Sequence, residues 1–143
     1  RKFNNEPLQV HPKMNANIVV LKLFPGITKA TVQAILKQDK TEAILLETFG
    51  SGNAPTSKWF LDEIEAAINS GQLILNVSQC MGGTVEMGRY ETSKRLKDLG
   101  VLSAYDMSFE AALTKLMFVL GYTKSKEKRI ALLSANLQGE MTL

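Results

Sequence analysis

Three short apolar runs alternate along the chain with segments of helical periodicity, and this alternation restricts the possible folds strongly. The runs cover residues 18–24, 43–46 and 73–77, and each stops in proline, glycine or small polar residues. A short apolar run bounded by turn residues is typical of a strand that is buried on both faces. With a weaker run at residues 101–105, the pattern predicts an α/β domain: a small three-layer parallel sheet of about four strands with helices on both faces.

The segments between these strands carry the signals of helices. Residues that can cap a helix N-terminus precede three of them: Thr28, Ser57 and Ser108. Apolar positions three and four residues apart follow each of these caps, as expected for helices that pack on a sheet. We expect the helix after Ser108 to end at Gly121, and two further helices over residues 90–99 and 125–137.

The chain opens with a polar segment that does not look like part of the core. Residues 1–16 contain two prolines and no periodicity, so we predict a linker or edge segment followed by one domain over residues 17–143. The opening has no initiator Met and no apolar signal core, so we expect it to be the middle of a longer protein. No apolar stretch reaches the roughly 18–20 residues that cross a membrane, so a membrane partner is not expected.

The charge and the cysteine content restrict the partners and the compartment. The net charge is only +3, from 17 basic and 14 acidic residues, and the basic residues at positions 124–129 fit a solvated helix start. We therefore do not expect nucleic acid as a partner. A single cysteine, Cys80, excludes an internal disulfide and fits a cytoplasmic, reducing compartment.

A complete catalytic apparatus is missing from the sequence. His11 is the only histidine and lies in the proline-containing opening segment, where a surface position is expected. Cys80 has no basic neighbour in sequence that would activate its thiol, so we interpret it as a partly buried filler or a ligand contact. Because hydrolysis needs a nucleophile with a base, or a metal with its ligands, we expect no catalytic residue, metal site or cofactor in this chain.

Two glycine-rich turns follow strands and are the best candidates for ligand contacts. The first, at residues 50–53, lacks the lysine and hydroxyl residue of a phosphate loop, but Asn53 offers an amide that suits an ammonium or a carboxamide. An equally open interpretation is that Asn53 only holds its turn. The second turn is the loop at residues 82–88, which contains Gly82, Gly83 and Gly88. Glu86 and Glu91 lie in or just after it, where a carboxylate pairs with a ligand ammonium or is merely solvated.

Several motifs occur in a fixed order along the chain. They are Leu23-Phe24-Pro25-Gly26-Ile27, Phe49-Gly50-Ser51-Gly52-Asn53-Ala54-Pro55, Ser78-Gln79-Cys80, Gly83 to Thr92, Gly100-Val101-Leu102, Asp106 to Leu116, and Asn136 to Thr142. With these motifs the chain closely resembles the flavodoxin-like C-terminal domain of cytoplasmic, type I bacterial L-asparaginases. The resemblance runs from about Asn17 to the end of the chain.

The resemblance implies a two-domain amidohydrolase that converts L-asparagine to L-aspartate and ammonia. In that family the nucleophilic Thr, a Thr-Asp pair and a Lys belong to the N-terminal domain, so this chain alone is expected to be inactive. In the family the C-terminal domain helps to build the dimer, so a homodimer or tetramer is expected. It reaches into the partner subunit's active site, where an Asn and an acidic group bind the substrate's α-amino group. Asn53 matches that Asn, and Tyr90 with Glu91 matches the acidic segment, so these three residues are expected to bind substrate.

Some type I members also bind asparagine at a regulatory site near the motif that corresponds to Ser78-Gln79-Cys80. The resemblance therefore implies a regulatory role for Cys80 and Glu47. Glu47 stands where some relatives carry a basic residue, and an acidic side chain there would repel a substrate carboxylate. We therefore expect regulation to be lost here.

Two other functions remain open from the sequence. One is the asparaginase-like subunit of a tRNA-dependent amidotransferase, and the other is a stand-alone module that binds a small ligand on a flavodoxin-like sheet. The sequence upstream of Arg1 separates them, because an asparaginase carries its catalytic threonines there.

Overall fold

The fold is a four-stranded parallel sheet between two layers of helices. The structure, a computed structural model, describes residue 7, residues 9–88 and residues 91–142. Within these residues the strands are β1 (Ile18–Lys22), β2 (Ala43–Thr48), β3 (Leu73–Ser78) and β4 (Leu102–Ser103). All neighbours pair in parallel, in the order β1-β2-β3-β4, which confirms the predicted α/β class.

The two layers of helices cover opposite faces of this sheet. Successive side chains of a strand point to opposite faces, so in β2 Ile44 and Leu46 join one core while Ala43 and Leu45 join the other. The first core also receives the helices α1 (Lys29–Leu36), α2 (Lys58–Asn69) and α3 (Glu91–Leu99). The second core receives α4 (Phe109–Tyr122) and α5 (Lys126–Leu133), so the predicted three layers are confirmed.

The strand order explains why three helices share one face. Each strand lies beside its successor in sequence, and right-handed crossovers then place every connecting helix on the same side of the sheet. After β4 the chain passes to the opposite face and forms α4. All four strands therefore end at one edge of the sheet, and the two glycine-rich turns meet there.

Local signals set most helix boundaries. Thr28, Ser108 and Ser125 each accept a backbone N–H bond from the first turn of their helices, as N-caps do. Ser57 also occupies an N-cap position, but its buried hydroxyl has no hydrogen-bond partner among the described residues. The last helix ends at Leu133, four residues before the predicted end; Ser134 forms its C-cap, and residues 134–142 continue as a non-helical tail.

The helix α4 continues through Gly121, which the sequence pattern predicts as its end. A Cβ at Gly121 would collide with the carbonyl of Lys13, so the glycine allows the opening segment to approach the helix closely. The Asn15 N–H also donates to the Met117 carbonyl at 3.0 Å. Residues 11–15 of the predicted linker or edge segment therefore lie along α4. Among the described residues, no helix has both the length and the apolar character needed to cross a bilayer.

Candidate functional site

The two glycine-rich turns are in direct contact at the carboxyl edge of the sheet. Ser78 at the end of β3 donates its hydroxyl to the Gly50 carbonyl at 2.6 Å. The Glu86 N–H donates to the Ser51 carbonyl at 3.1 Å, which joins the second loop to the first. The two segments that the sequence marks as ligand contacts therefore form one surface.

Gly52 permits this close contact between the loops. Its φ is +108°, a backbone conformation that side chains other than hydrogen rarely allow. A Cβ at this position would lie 3.0 Å from Cγ1 of the buried Val85 and 3.4 Å from Nδ2 of Asn76. The glycine therefore allows both the backbone conformation of the turn and the close packing of the second loop against the first.

Asn53 is held from two sides. Its backbone exchanges hydrogen bonds with Phe49, at 2.8 Å from the Asn53 N–H and 2.9 Å to the Asn53 carbonyl. Its side-chain Oδ1 accepts a hydrogen bond of 2.9 Å from the hydroxyl of Thr92, in the first turn of α3. The half-buried carboxamide of Asn53 is thereby fixed against the beginning of that helix.

Glu91 directly precedes Thr92, so the same helix start carries both an anchor for Asn53 and a carboxylate. The Glu91 side chain is 77% exposed, and its Oε1 lies 2.8 Å from a guanidinium nitrogen of Arg95, one turn further along α3. The position in the first turn is favourable for a negative charge. Two of the predicted substrate-binding residues, Asn53 and Glu91, are thus connected through Thr92, while Tyr90 lies outside the described residues.

A buried polar pair that the sequence analysis missed lies beneath the first loop. The Thr48 hydroxyl donates to Asn76 Oδ1 at 2.7 Å, and Asn76 Nδ2 lies 3.5 Å from Met87 Sδ. Both Thr48 and Asn76 are completely buried. The available signal is an asparagine inside the otherwise apolar run of residues 73–77. Thr92 was missed as well, because no local pattern shows that it reaches Asn53.

The residues proposed for regulation occupy two different environments. Cys80 is exposed, which corrects the expectation that it is a partly buried filler. Glu47 is nearly buried, and its carboxylate lies 3.5 Å from the Lys22 ammonium. Between them, the Gln79 amide donates to the carbonyls of Leu23 at 2.7 Å and Glu47 at 2.9 Å, so it closes the carboxyl ends of β1 and β2.

The most strongly perturbed carboxylates lie away from these loops. Burial raises the pKa of Glu42, but hydrogen bonds from Asn15 and Arg129 outweigh it and lower the pKa to about 2. Glu42 directly precedes β2, so it lies at the amino ends of the strands, whereas Asn53 lies at their carboxyl ends. The His11 ring packs edge-on against Tyr122 of α4, at a centroid distance of 5.1 Å. Both interactions therefore hold the opening segment and α4 in place, and neither belongs to the candidate site.

The candidate site has the chemistry of recognition. It presents an amide and a carboxylate, which accept hydrogen bonds from a cation such as an ammonium. Among the described residues, no group of three His, Cys, Asp or Glu side chains is arranged to hold a metal ion.

Comparison with known proteins identifies close relatives. The family model of the glutaminase/asparaginase C-terminal domain matches residues 17–133. L-asparaginase 1 of Escherichia coli K12 is 38% identical over 149 residues, which cover 99% of this chain and 44% of that protein. The crystal structure of L-asparaginase I from Vibrio cholerae superimposes with a TM-score of 0.89 at 40% identity, covering 97% of this chain and 42% of that one.

Proteins with other names are also similar to this chain. The human 60 kDa lysophospholipase is 41% identical over 94% of this chain and 23% of its own length. A subunit of the glutamyl-tRNA(Gln) amidotransferase of Pyrococcus abyssi is 31% identical over 99% of this chain and 32% of its own length. The chain spans less than half the length of these curated relatives and of E. coli L-asparaginase 1.

Proposed function

The chain belongs to the glutaminase/asparaginase C-terminal domain family, and from this premise we propose that it is the C-terminal domain of an L-asparaginase. The complete enzyme would hydrolyse L-asparagine to L-aspartate and ammonia. An N-terminal domain would supply the nucleophilic Thr and the other catalytic residues. This chain would complete the substrate site of a partner subunit.

The hydrogen bond from Thr92 to Asn53 is the observation that carries this proposal. It joins the loop with the Gly-x-Gly-Asn motif to the helix that begins with Glu91. The Asn53 amide is therefore fixed beside the helix start that carries the Glu91 carboxylate, and both groups can accept hydrogen bonds from an α-ammonium. Tyr90, in the same matched segment, is proposed as a third substrate-binding residue.

Glu91 is available for this role because its present ion pair is weak. The pair with Arg95 is exposed, and exposed pairs contribute about 0–1 kcal/mol. A substrate ammonium that is shielded from water between two subunits would compete well for the carboxylate. Binding would then exchange the Arg95 guanidinium for the substrate, while Asn53 Oδ1 accepts from the ammonium with its remaining lone pair.

Exposed apolar side chains support an assembly at this edge of the sheet. Phe24 follows β1 and is 51% exposed, and Met81 in the second loop is fully exposed. Large apolar side chains near one edge are typical of a surface that another domain or subunit covers. We propose a homodimer or tetramer on this basis. The exposed free thiol of Cys80 supports a cytoplasmic location, where thiols stay reduced.

A second candidate function is the asparaginase-like subunit of a tRNA-dependent amidotransferase. The similarity to the amidotransferase subunit of P. abyssi favours this function. The identity to that subunit is 31%, however, which is lower than the 38% identity to E. coli L-asparaginase 1. Recognition of tRNA would require a basic surface, and the net charge of +3 gives it little support.

The decisive experiment removes the Asn53 amide in the full-length protein. Losing a hydrogen bond to a charged group costs about 1.5–3 kcal/mol, so Asn53→Ala should lower kcat/KM for asparagine roughly ten- to a hundredfold. For succinamate, which is asparagine without its α-amino group, kcat/KM should fall much less. Ammonia release, measured with both amides, gives the comparison.

Two controls accompany this experiment. The 143-residue chain alone should release no more ammonia from asparagine than a heat-killed sample, because its catalytic partners are absent. The variant Asn69→Ala, at the C-terminal end of α2, removes an amide away from the proposed site and should leave both rates unchanged. Equal losses on both amides in Asn53→Ala would mean that Asn53 only holds its turn, and the substrate role would be withdrawn.

A further inference from the structure

The position of the Asn53 carboxamide depends on a residue from a distant part of the chain. Thr92 lies 39 residues further along, yet its hydroxyl donates to Asn53 Oδ1 at 2.9 Å. The terminal torsion of an asparagine has broad, roughly two-fold preferences, so its own rotamer does not fix which edge faces a ligand. A hydrogen bond to a rigid neighbour removes that freedom.

Thr92 is well placed to act as this neighbour. It lies in the first turn of α3, and the adjacent Ser93 is completely buried, so the beginning of the helix is anchored in the protein. The branched Cβ of threonine limits χ1 to few rotamers, and the one present here aims the hydroxyl at Asn53 Oδ1. The half-buried setting also strengthens the bond relative to one in water.

The same bond sets the relation between Asn53 and Glu91. Asn53 is carried by the loop after β2, whereas Glu91 precedes Thr92 on α3. Without the hydroxyl, the backbone of Asn53 would remain bonded to Phe49, but the carboxamide would turn freely above the helix start. The amide oxygen would then no longer be held beside the helix start that carries Glu91.

We propose that Thr92 is a positioning residue for recognition of the substrate α-ammonium. Its hydroxyl orients the Asn53 carboxamide so that Oδ1 and the Glu91 carboxylate accept from the same ammonium. This inference rests on the proposed function and adds a specificity determinant to it. Thr92 touches Asn53 and acts through it, so its removal should affect only substrates that carry the α-amino group.

The test compares Thr92→Val with Thr92→Ser in the full-length protein. Valine keeps the shape and removes the hydroxyl, so kcat/KM for asparagine should fall about three- to tenfold, mostly through KM, while succinamate turnover stays within about twofold. Serine keeps the hydroxyl and should remain within about twofold of the unmodified protein on both amides. If Thr92→Val does not fold, Thr92→Ala provides the same loss of the hydroxyl.

A matched control separates the position from the chemistry. Thr114 is also a helix-borne threonine, but its hydroxyl bonds to the Glu110 and Ala111 carbonyls of its own helix, at 2.8 and 3.2 Å. Thr114→Val should leave both rates unchanged. The double variant of Asn53→Ala and Thr92→Val should lose no more than Asn53→Ala alone, because Thr92 acts through Asn53.

The outcomes distinguish this inference from the function on which it rests. If Asn53→Ala lowers kcat/KM equally for both amides, the substrate role of Asn53 and the positioning role of Thr92 both fail. If Asn53→Ala is selective for asparagine, three results overturn the role of Thr92 alone. The first is that Thr92→Val lowers kcat/KM equally for both amides. The second is that Thr92→Ser lowers kcat/KM for asparagine as much as Thr92→Val does. The third is that the losses of the two single variants add up in the double variant.

Discussion

Thr48 and Asn76 share a hydrogen bond of 2.7 Å inside the core, although the side chains of both residues are completely buried. Thr48 lies on β2 and Asn76 on the neighbouring β3, two mostly apolar strands, and the pair lies directly beneath the loop that carries Asn53. A Cβ at Gly52 would lie 3.4 Å from Asn76 Nδ2, so this loop rests on the buried amide. The polar pair therefore forms the floor of the candidate site.

Removing one member of this pair should destabilise the protein. Thr48→Val keeps the shape of the side chain but leaves Asn76 Oδ1 without its donor, which should cost about 1–3 kcal/mol of unfolding free energy. Combining it with Asn76→Leu should cost less than the sum of the two single changes, because no orphaned acceptor remains. Urea unfolding measures the free energies of the single and double variants. Thr56→Val, at an exposed position, is the control and should lower the free energy of unfolding only slightly. Additive losses would show that the two side chains are not coupled.

The two glycines of the first loop should differ in their tolerance of alanine. Gly50 has a φ of +51° and open space around its Cβ position, so Gly50→Ala should cost about 1–2 kcal/mol from backbone strain alone. Gly52 has a φ of +108° and faces Val85 at 3.0 Å. Gly52→Ala should cost about 1–3 kcal/mol more, because the methyl group also overpacks the second loop. Equal urea midpoints for the two variants would contradict this account.

Regulation by asparagine should be absent in the full-length protein. The carboxylate of Glu47 is nearly buried beside Lys22, and it would repel the carboxylate of a second asparagine near the Ser78-Gln79-Cys80 segment. We expect a hyperbolic dependence of the initial rate on asparagine concentration. Cys80→Phe, at an exposed position, should leave that shape unchanged. A sigmoidal curve whose shape changes in Cys80→Phe would instead assign a regulatory pocket to this segment.

Local patterns were sufficient to predict the framework of the fold. Apolar runs and capping residues depend on neighbours a few positions away, so the sheet, the caps at Thr28 and Ser108, and the meeting of the two glycine-rich turns were predictable. Gly121 shows where this reasoning fails. Glycine ends many helices, but Gly121 lies within α4 and lets the backbone of Lys13 pack closely against the helix. Only the tertiary structure distinguishes these two uses of glycine.

The details of the candidate site depend on contacts between distant segments. Asn53 was predicted because its residue type and its turn are both visible in the sequence. Its partner Thr92 was missed, because the hydrogen bond spans 39 positions and two separate elements. Lys115 was missed for the same reason. It lies three residues after the buried Ala112, on the core side of α4, but its partner Glu140 belongs to the tail.

The tail is fastened by a nearly buried ion pair. The Lys115 side chain is 4% exposed, and its ammonium lies 2.7 Å from Glu140 Oε1. The Glu140 carboxylate also accepts backbone N–H bonds from Leu137 at 3.0 Å and Gln138 at 2.6 Å. Burial raises the pKa of Glu140, but these hydrogen bonds outweigh it and lower the pKa to about 2.

Acid should therefore weaken the fold through Glu140. Because its pKa is lowered in the folded state, its stabilisation is present above the ordinary value of 4.5 and is lost as the pH falls towards 2. The unfolding free energies of the unmodified chain and Glu140→Gln should thus converge on acidification, as urea titrations from neutral pH to about pH 3 would measure. Lys115→Met should cost about 1–3 kcal/mol at neutral pH, because it leaves the partly buried Glu140 carboxylate without its cation. A constant difference between Glu140→Gln and the unmodified chain at every pH would exclude ionised Glu140 as the source of this stability.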